Sequence, residues 1–277
     1  MKSLKIIVLS FLCSLSLASY AQKDCILNVG GTVLLNDSTG IRTTEVTVRE
    51  YLEFIANNHY NTALYPDSAI LSKAPYRFLF RTLATNDTRY IRKINGRGYC
   101  WIKIQKQKTK DITSQLNSLL LMPITGITYK QATFFCKWVE KSGNTIFFAN
   151  TPCKVNISLP TEEDYHNLIL NIDSICNDNC TSNYTLNCLK LKSDGDTTTA
   201  IYKALQIDKL LPTGLFAKDA NGLYDMEGNA AEMTKTEGVC MGGSYLDYAK
   251  DTRNKKKGSY TKPEYWLGFR YIVKGIQ

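Results

Sequence analysis

The sequence predicts an α+β fold: a single mixed domain with few helices and much irregular structure. Two observations carry this prediction. Three segments read as helix starts, Thr47-Val-Arg-Glu50, Thr128-Tyr-Lys-Gln131 and Thr161-Glu-Glu-Asp164. Each sets an N-cap hydroxyl three residues before an acidic or amide side chain, and each leads into an apolar run. Elsewhere the chain is mostly short β-prone runs broken by polar loops. With 277 residues, 44% hydrophobic and 21% charged, it can bury one large core or two small ones. No internal repeat or low-complexity linker divides it.

Taken in order, the chain opens on a segment that reads as a secretory signal peptide over residues 1–21. Lys2 and Lys5 form a positive n-region, Ile6 to Leu17 an apolar core, and Ser19-Tyr-Ala21 a small-x-small cleavage site before Gln22. The apolar run is too short to span a bilayer. Lipidation needs a cysteine directly after the small residues, and Cys25 lies four positions past Ala21. The mature protein is therefore expected to be exported and not lipidated, in the periplasm or at the cell surface, and peripheral to a membrane at most. Residues 22–41 read as an N-terminal leader and 42–277 as the domain proper.

The first helix start opens that domain. Residues 58–122 then show β-prone runs without a motif; Pro66-Asp-Ser-Ala69, like Asp196-Thr-Thr198, reads only as a weak glycosylation pattern. The second helix gathers Ala132, Phe135, Cys136 and Val139 on one face, with Lys130, Lys137 and Glu140 elsewhere. The third carries Tyr165, Leu168 and Ile169 inward, with His166 covering its surface. Residues 171–200 read as a cysteine-bearing loop.

Charge and cysteine content narrow the function classes. The formal net charge falls from +9 to +7 when Lys2 and Lys5 leave with the signal. Arg89 to Lys110 interleaves basic and aromatic residues, but an exported protein seldom meets nucleic acid. Ile102 and Ile104 alternating with lysines read instead as an exposed edge strand. Anionic polysaccharide, lipid headgroups or an acidic partner protein fit the charge better. Cys25, Cys100, Cys136, Cys153, Cys176, Cys180, Cys188 and Cys240 remain after Cys13 is removed. An even count in an oxidising compartment points to disulfides. A zinc site built on Cys176, Cys180 and Cys188 is the rival, disfavoured because His59 and His166 are the only histidines.

The most informative stretch is Gly222-Leu-Tyr-Asp-Met-Glu-Gly-Asn-Ala-Ala-Glu-Met233, followed by Met241-Gly-Gly-Ser-Tyr245. Asp225 and Glu232 offer two carboxylates, and Gly228 with Asn229 permits a tight turn between them. Such a turn can aim the carbonyls of Gly228 and Ala230 beside those side chains, giving four hard oxygens suited to Ca²⁺. The alternative is an ordinary polar loop whose carboxylates bond to backbone amides.

This stretch resembles the GLY(D/N)xxGNxWEW signature of the formylglycine-generating enzyme family, the sulfatase-modifying factors. Four further segments fall in family order. TEVTVREYLEF (44–54) resembles the opening strand and helix, and PITGITYKQATFFCKWV (123–139) resembles PVxxVSWxxAxxFCxW. LPTEEDY (159–165) is similar to LPTEAEW, and GGSY (242–245) with LGFRYI (267–272) closes the domain. The resemblance implies an architecture related to C-type lectins and a structural calcium ion held by Asp225, Glu232 and the carbonyls of Gly228 and Ala230. The signature's two tryptophans fall on Ala231 and Met233.

The family's enzymes oxidise a client sulfatase cysteine to formylglycine with molecular oxygen, using two cysteines shortly after GGSY. Those positions are Asp247 and Thr252 here, and neither can replace a thiolate on copper(I). A second branch holds iron with three histidines, one more than this chain has. The expectation is therefore a noncatalytic scaffold or binding protein, similar to gliding-motility and type IX secretion proteins of the bacterial envelope. A formylglycine-generating oxidase and a carbohydrate-binding module are the alternatives. The family's substrate groove maps to Gly242–Arg270. Its expected partner-binding residues are Tyr245, Tyr248, Tyr260 and Trp266 as aromatic anchors, with Lys255, Lys256 and Lys257 steering an acidic envelope partner. The lysine run reads otherwise as a solvated loop tip.

Overall fold

A computed structural model describes residues 26, 29–84, 91–94, 99–102, 118–147, 154–175, 210–215, 218–219, 221–247 and 257–276. The signal segment, the Cys176–Cys188 loop, Tyr248, Thr252, Lys255 and Lys256 lie outside the described residues.

The fold is α+β, as the sequence predicts. β1 (Thr32–Asn36) and β2 (Thr39–Arg42) form a hairpin, and β5 (Lys154–Ser158) and β10 (Ile272–Ile276) complete an antiparallel sheet of order β1-β2-β10-β5. β2 pairs directly with the C-terminal strand, so the hairpin Thr32–Arg42 is part of this sheet. A second sheet of order β8-β7-β6-β9 joins β6 (Ala231–Met233), β7 (Val239–Met241), β8 (Gly258–Ser259) and β9 (Leu267–Gly268), with β6 and β9 parallel. β3 (Ile91–Ile94) and β4 (Tyr99–Ile102) form a separate antiparallel pair in the basic segment.

All three expected helices are present. α1 (Val48–Asn57) starts at a reciprocal capping box between Thr47 and Glu50. The region 58–122, which the sequence left without a motif, contributes further helices among its described residues, two of which follow α1 closely. α2 (Ser68–Leu71) is capped by the Asp67 carboxylate, and α3 (Arg77–Ala84) follows it. α4 (Tyr129–Ser142) repeats the capping box with Thr128 and Gln131, and buries Ala132, Phe135 and Cys136 as its periodicity requires. At α5 (Glu162–Ile175), Asp164 Oδ2 accepts from Thr161 N at 2.7 Å while Thr161 Oγ1 accepts from Asp164 N at 3.1 Å. Capping of this kind is worth about 1 kcal/mol per helix. Among the described residues, no helix is long and apolar enough to cross a membrane.

An aromatic cluster locks the helices to the C-terminal segment. Phe54 of α1 meets Phe135 of α4 edge-on at 5.4 Å, and Phe135 meets Phe269 in the same way at 5.4 Å. Phe269 and Tyr271 are thus held against the helices, and Arg270 between them is sent to the opposite side, toward β6. Cys136 and Cys240 are buried free thiols, so neither takes part in the expected disulfides. Cys136 fills the face of α4 that packs in the core, where a small apolar group serves better than a crosslink.

Candidate functional site

Residues 222–245 turn at several left-handed backbone positions. Asp225 (φ 53°), Gly228 (φ 82°) and Asn229 (φ 54°) take positive φ, as do Gly222, Gly242 and Gly243. This permits the tight turn read from the sequence. The turn is closed by Gly228 N donating to Gly242 O at 2.9 Å, which ties the signature loop to the glycine pair beyond β7.

The loop delivers Glu232 into the interior at 1% exposure, opposite Arg270 at 0%. Arg270 Nε donates to Glu232 Oε1 at 2.8 Å and Oε2 at 2.6 Å, and Nη2 donates to Oε1 at 2.5 Å. Its remaining donors reach the carbonyls of Tyr224 (2.9 Å), Arg42 (3.2 Å) and Thr43 (3.3 Å). The Tyr165 hydroxyl, brought in by α5, donates to Glu232 Oε2. Burial works against the guanidinium's charge, but the Glu232 carboxylate outweighs it and raises its pKa above the ordinary value.

Two further carboxyls act on this pair. Glu45, fully buried, accepts from Asn229 Nδ2 through Oε1 at 2.9 Å, while its Oε2 is buried without a partner. Burial raises its pKa well above normal, with Asp225 and Glu232 adding to the rise and Arg270 opposing it. Asp225 accepts from Gly214 N at 2.8 Å and is also raised, first by burial. Asn229 bridges outward as well, accepting from Leu211 N at 3.0 Å and donating to Leu211 O at 3.3 Å. Three carboxyl groups thus act on one another around one guanidinium.

This arrangement bears on the expected calcium set of Asp225, Gly228, Ala230 and Glu232. Both Glu232 oxygens are engaged by Arg270, and one Asp225 oxygen by Gly214. Among the described residues, no group of three or more His, Cys, Asp or Glu is assembled as a metal cluster. The orphaned Glu45 Oε2 and the excess of carboxyl over guanidinium supply the hard, acidic chemistry a calcium ion takes. A cation here would share Glu232 with Arg270 and meet the charge that Arg270 alone leaves unbalanced.

Sequence reasoning missed Glu45, Arg270 and Tyr165. Glu45 lies directly before the buried Val46-Thr47-Val48, and Arg270 stands between Phe269 and Tyr271. A charged residue inside a run of core residues is the signal that could have found both, because burying it demands a partner.

On the other side of β6 lies a cavity of about 410 Å³, whose lining includes Ala231, Cys240, Ser244, Asp247, Lys257 and Trp266. β8 pairs with β7 at its edge, Gly258 opposite Cys240, so closely that a Cβ on Gly258 would stand 2.7 Å from Cys240 Sγ. Asp247 Oδ2 accepts from Ser244 N and from Ser244 Oγ, both at 2.8 Å. Burial, reinforced by the charge of Asp247, pushes the Cys240 thiol up to about 12, so the thiol stays protonated near neutral pH. Two soft thiolates are what copper(I) oxygen chemistry requires. Among the described residues, the cavity has one protonated thiol and a carboxylate, a poor fit to that ion.

The expected partner-binding residues separate here. Trp266 and Lys257 line the cavity, and Tyr260 packs partly against the core with its buried hydroxyl unpartnered. Tyr245, at 6% exposure, has its ring packed in the core. Lys257 is no isolated steering charge either, since its Nζ sits 2.8 Å from Glu162 Oε2.

The family model for the Sulfatase-modifying factor enzyme 1-like domain matches residues 32–275 of this chain. Among solved structures, PvdO from Pseudomonas aeruginosa is similar at 13% identity and a TM-score of 0.44, covering 85% of this chain and 80% of its own. CarF is similar at 16% identity and a TM-score of 0.42, covering 86% and 87%. Treponema denticola variable protein 1 is similar at 16% identity and a TM-score of 0.41, covering 85% and 84%. No curated protein matches the chain.

Proposed function

The chain belongs to the family of sulfatase-modifying factor enzyme 1-like domains, and from that premise we propose that it is a noncatalytic member, an exported binding or scaffold protein of the bacterial cell envelope. One observation supports the reading above others. Where the family's oxidases place their first thiol, this chain has Asp247, whose carboxylate is tied into the Ser244 turn by two hydrogen bonds. A carboxylate so held organises the cavity wall and supplies no soft ligand. Cys240 opens on the same cavity from β7, as a single thiol held in its protonated form.

The cavity in this reading is a recognition pocket for an envelope partner, with Trp266 as its aromatic wall and Tyr260 beside it. A role beside gliding or type IX secretion machinery rests on the sequence resemblance alone. The reading includes a structural calcium ion, with Asp225, Glu232 and the carbonyls of Gly228 and Ala230 as its holders. Bound there, the ion would neutralise buried carboxylate charge.

Incubating purified protein with copper(I), oxygen and a peptide containing CxPxR tests the noncatalytic reading. The expected result is no aldehyde above the protein-free control. Aldehyde formation that scales with protein concentration would overturn it.

A further inference from the structure

We propose that α4 carries a membrane-contact stripe, Lys130, Phe134, Lys137 and Lys141, which seats the protein on an anionic phospholipid surface. None of the four lines the cavity, so this is a second surface with an occupant of its own.

Helix geometry sets the stripe. These four are the exposed residues of α4 (Tyr129–Ser142). At 3.6 residues per turn they fall within about 60° of the helix circumference, along about 16 Å of its length. Phe134, near the middle, is 43% exposed, and its ring meets Phe54 of α1 edge-on at 5.4 Å. Glu140, the one acid of α4, is turned to β5, where Oε2 accepts from Asn156 Nδ2 at 3.0 Å and from Ile157 N at 2.7 Å. Among the described residues, none of the three lysines forms an ion pair. The sequence on either side brings no charge to them: residues 112–129 and 142–153 hold no Asp, Glu, Lys or Arg.

Helix stability does not account for this pattern. Lys130 stands in the first turn, at the positive end of the macrodipole, where an acidic residue would be favoured. Lys137 and Lys141 are like charges at i and i+4, a pairing that weakens a helix. Phe134 between them leaves apolar surface in water. All three features become favourable on an anionic bilayer. The lysine stems reach the headgroup phosphates, while the ring enters the boundary between headgroups and acyl chains. An acidic protein is the lesser match, since protein interfaces favour arginine and are depleted in lysine, and the stripe has no arginine.

The test is co-sedimentation of the full mature chain with unilamellar vesicles, either phosphatidylcholine alone or an equimolar mixture with phosphatidylglycerol. Wild type is expected to sediment with the mixed vesicles, to stay in solution with phosphatidylcholine, and to be released as salt rises. Lys130→Gln/Lys137→Gln/Lys141→Gln should weaken binding about a hundredfold, about fivefold per lysine. Lys137→Gln alone, about fivefold weaker, repeats the test should the triple variant unfold. Phe134→Ala should weaken binding about fivefold and keep the salt dependence. Lys218→Gln/Lys262→Gln/Lys274→Gln removes the same charge from exposed sites off the helix and should bind as wild type does. Equal binding to phosphatidylcholine, undiminished binding by the stripe variants, or an equal loss in the off-helix variant overturns the inference. Soluble polyglutamate that binds the stripe more tightly than the mixed vesicles would assign the face to an acidic protein and overturn it too. None of these results touches the noncatalytic reading, which the aldehyde assay decides.

Discussion

Replacing Arg270 with methionine tests what holds the signature loop in place. The side chain is fully buried and gives Glu232 three contacts of 2.5–2.8 Å, besides reaching the carbonyls of Tyr224, Arg42 and Thr43. Removing one member of a buried ion pair costs about 3–5 kcal/mol, because the other charge stays buried and unpaired. The upper end applies, since Glu45 and Asp225 also lose their one opposing charge. For a domain of this size about 5 kcal/mol lowers Tm by about 10–20 °C. Thermal unfolding followed by circular dichroism measures it. The double variant Arg270→Met/Glu232→Leu should recover several degrees relative to Arg270→Met, because the orphaned charge goes with its partner. A single variant that melts within about 4 °C of wild type would refute the reasoning. So would a double variant as unstable as the sum of the two single ones.

Other expectations follow from the same geometry. Calcium at one hundred times its Kd should add about 2.7 kcal/mol, seen as a Tm rise of about 5–11 °C over chelator-treated protein. Asp225→Asn should remove most of that rise, and an equal response in the two proteins would dismiss the site. Glu53 is raised to about 7, first by burial and then by Glu50, and Glu45 is raised well above normal. Each binds a proton in the folded state that it has released when unfolded. The stability they contribute is therefore complete below pH 4.5 and lost as pH rises through the folded value, about 7 for Glu53. Glu53→Gln should flatten the fall in Tm between pH 5 and 8; an unchanged slope would contradict its assignment.

The parts of the fold legible in the sequence are those written in local chemistry. The helix starts at Thr47, Thr128 and Thr161 rest on side chains three residues away, and each appears as read. The tight turn at Gly228-Asn229 was legible for the same reason. α2 and α3 were not foreseen, since their segment carries no capping box; α2 relies on Asp67 alone. The hub is legible only in part because its partners are distant in the chain. Glu45 and Asn229 are 184 positions apart, and Arg270 and Glu232 38 apart. Lys257 looked free for a similar reason, its partner Glu162 lying 95 positions away.

Copper(I) binding tests the noncatalytic claim most directly. Reduced wild type and Cys240→Ser are titrated anaerobically against a chromophoric copper(I) chelator, so that thiols elsewhere contribute equally to both. With one protonated thiol and the Asp247 carboxylate in the cavity, the two proteins are expected to withdraw the same amount of copper. Loss of one tightly held equivalent in Cys240→Ser would show a copper site in the cavity and contradict the claim.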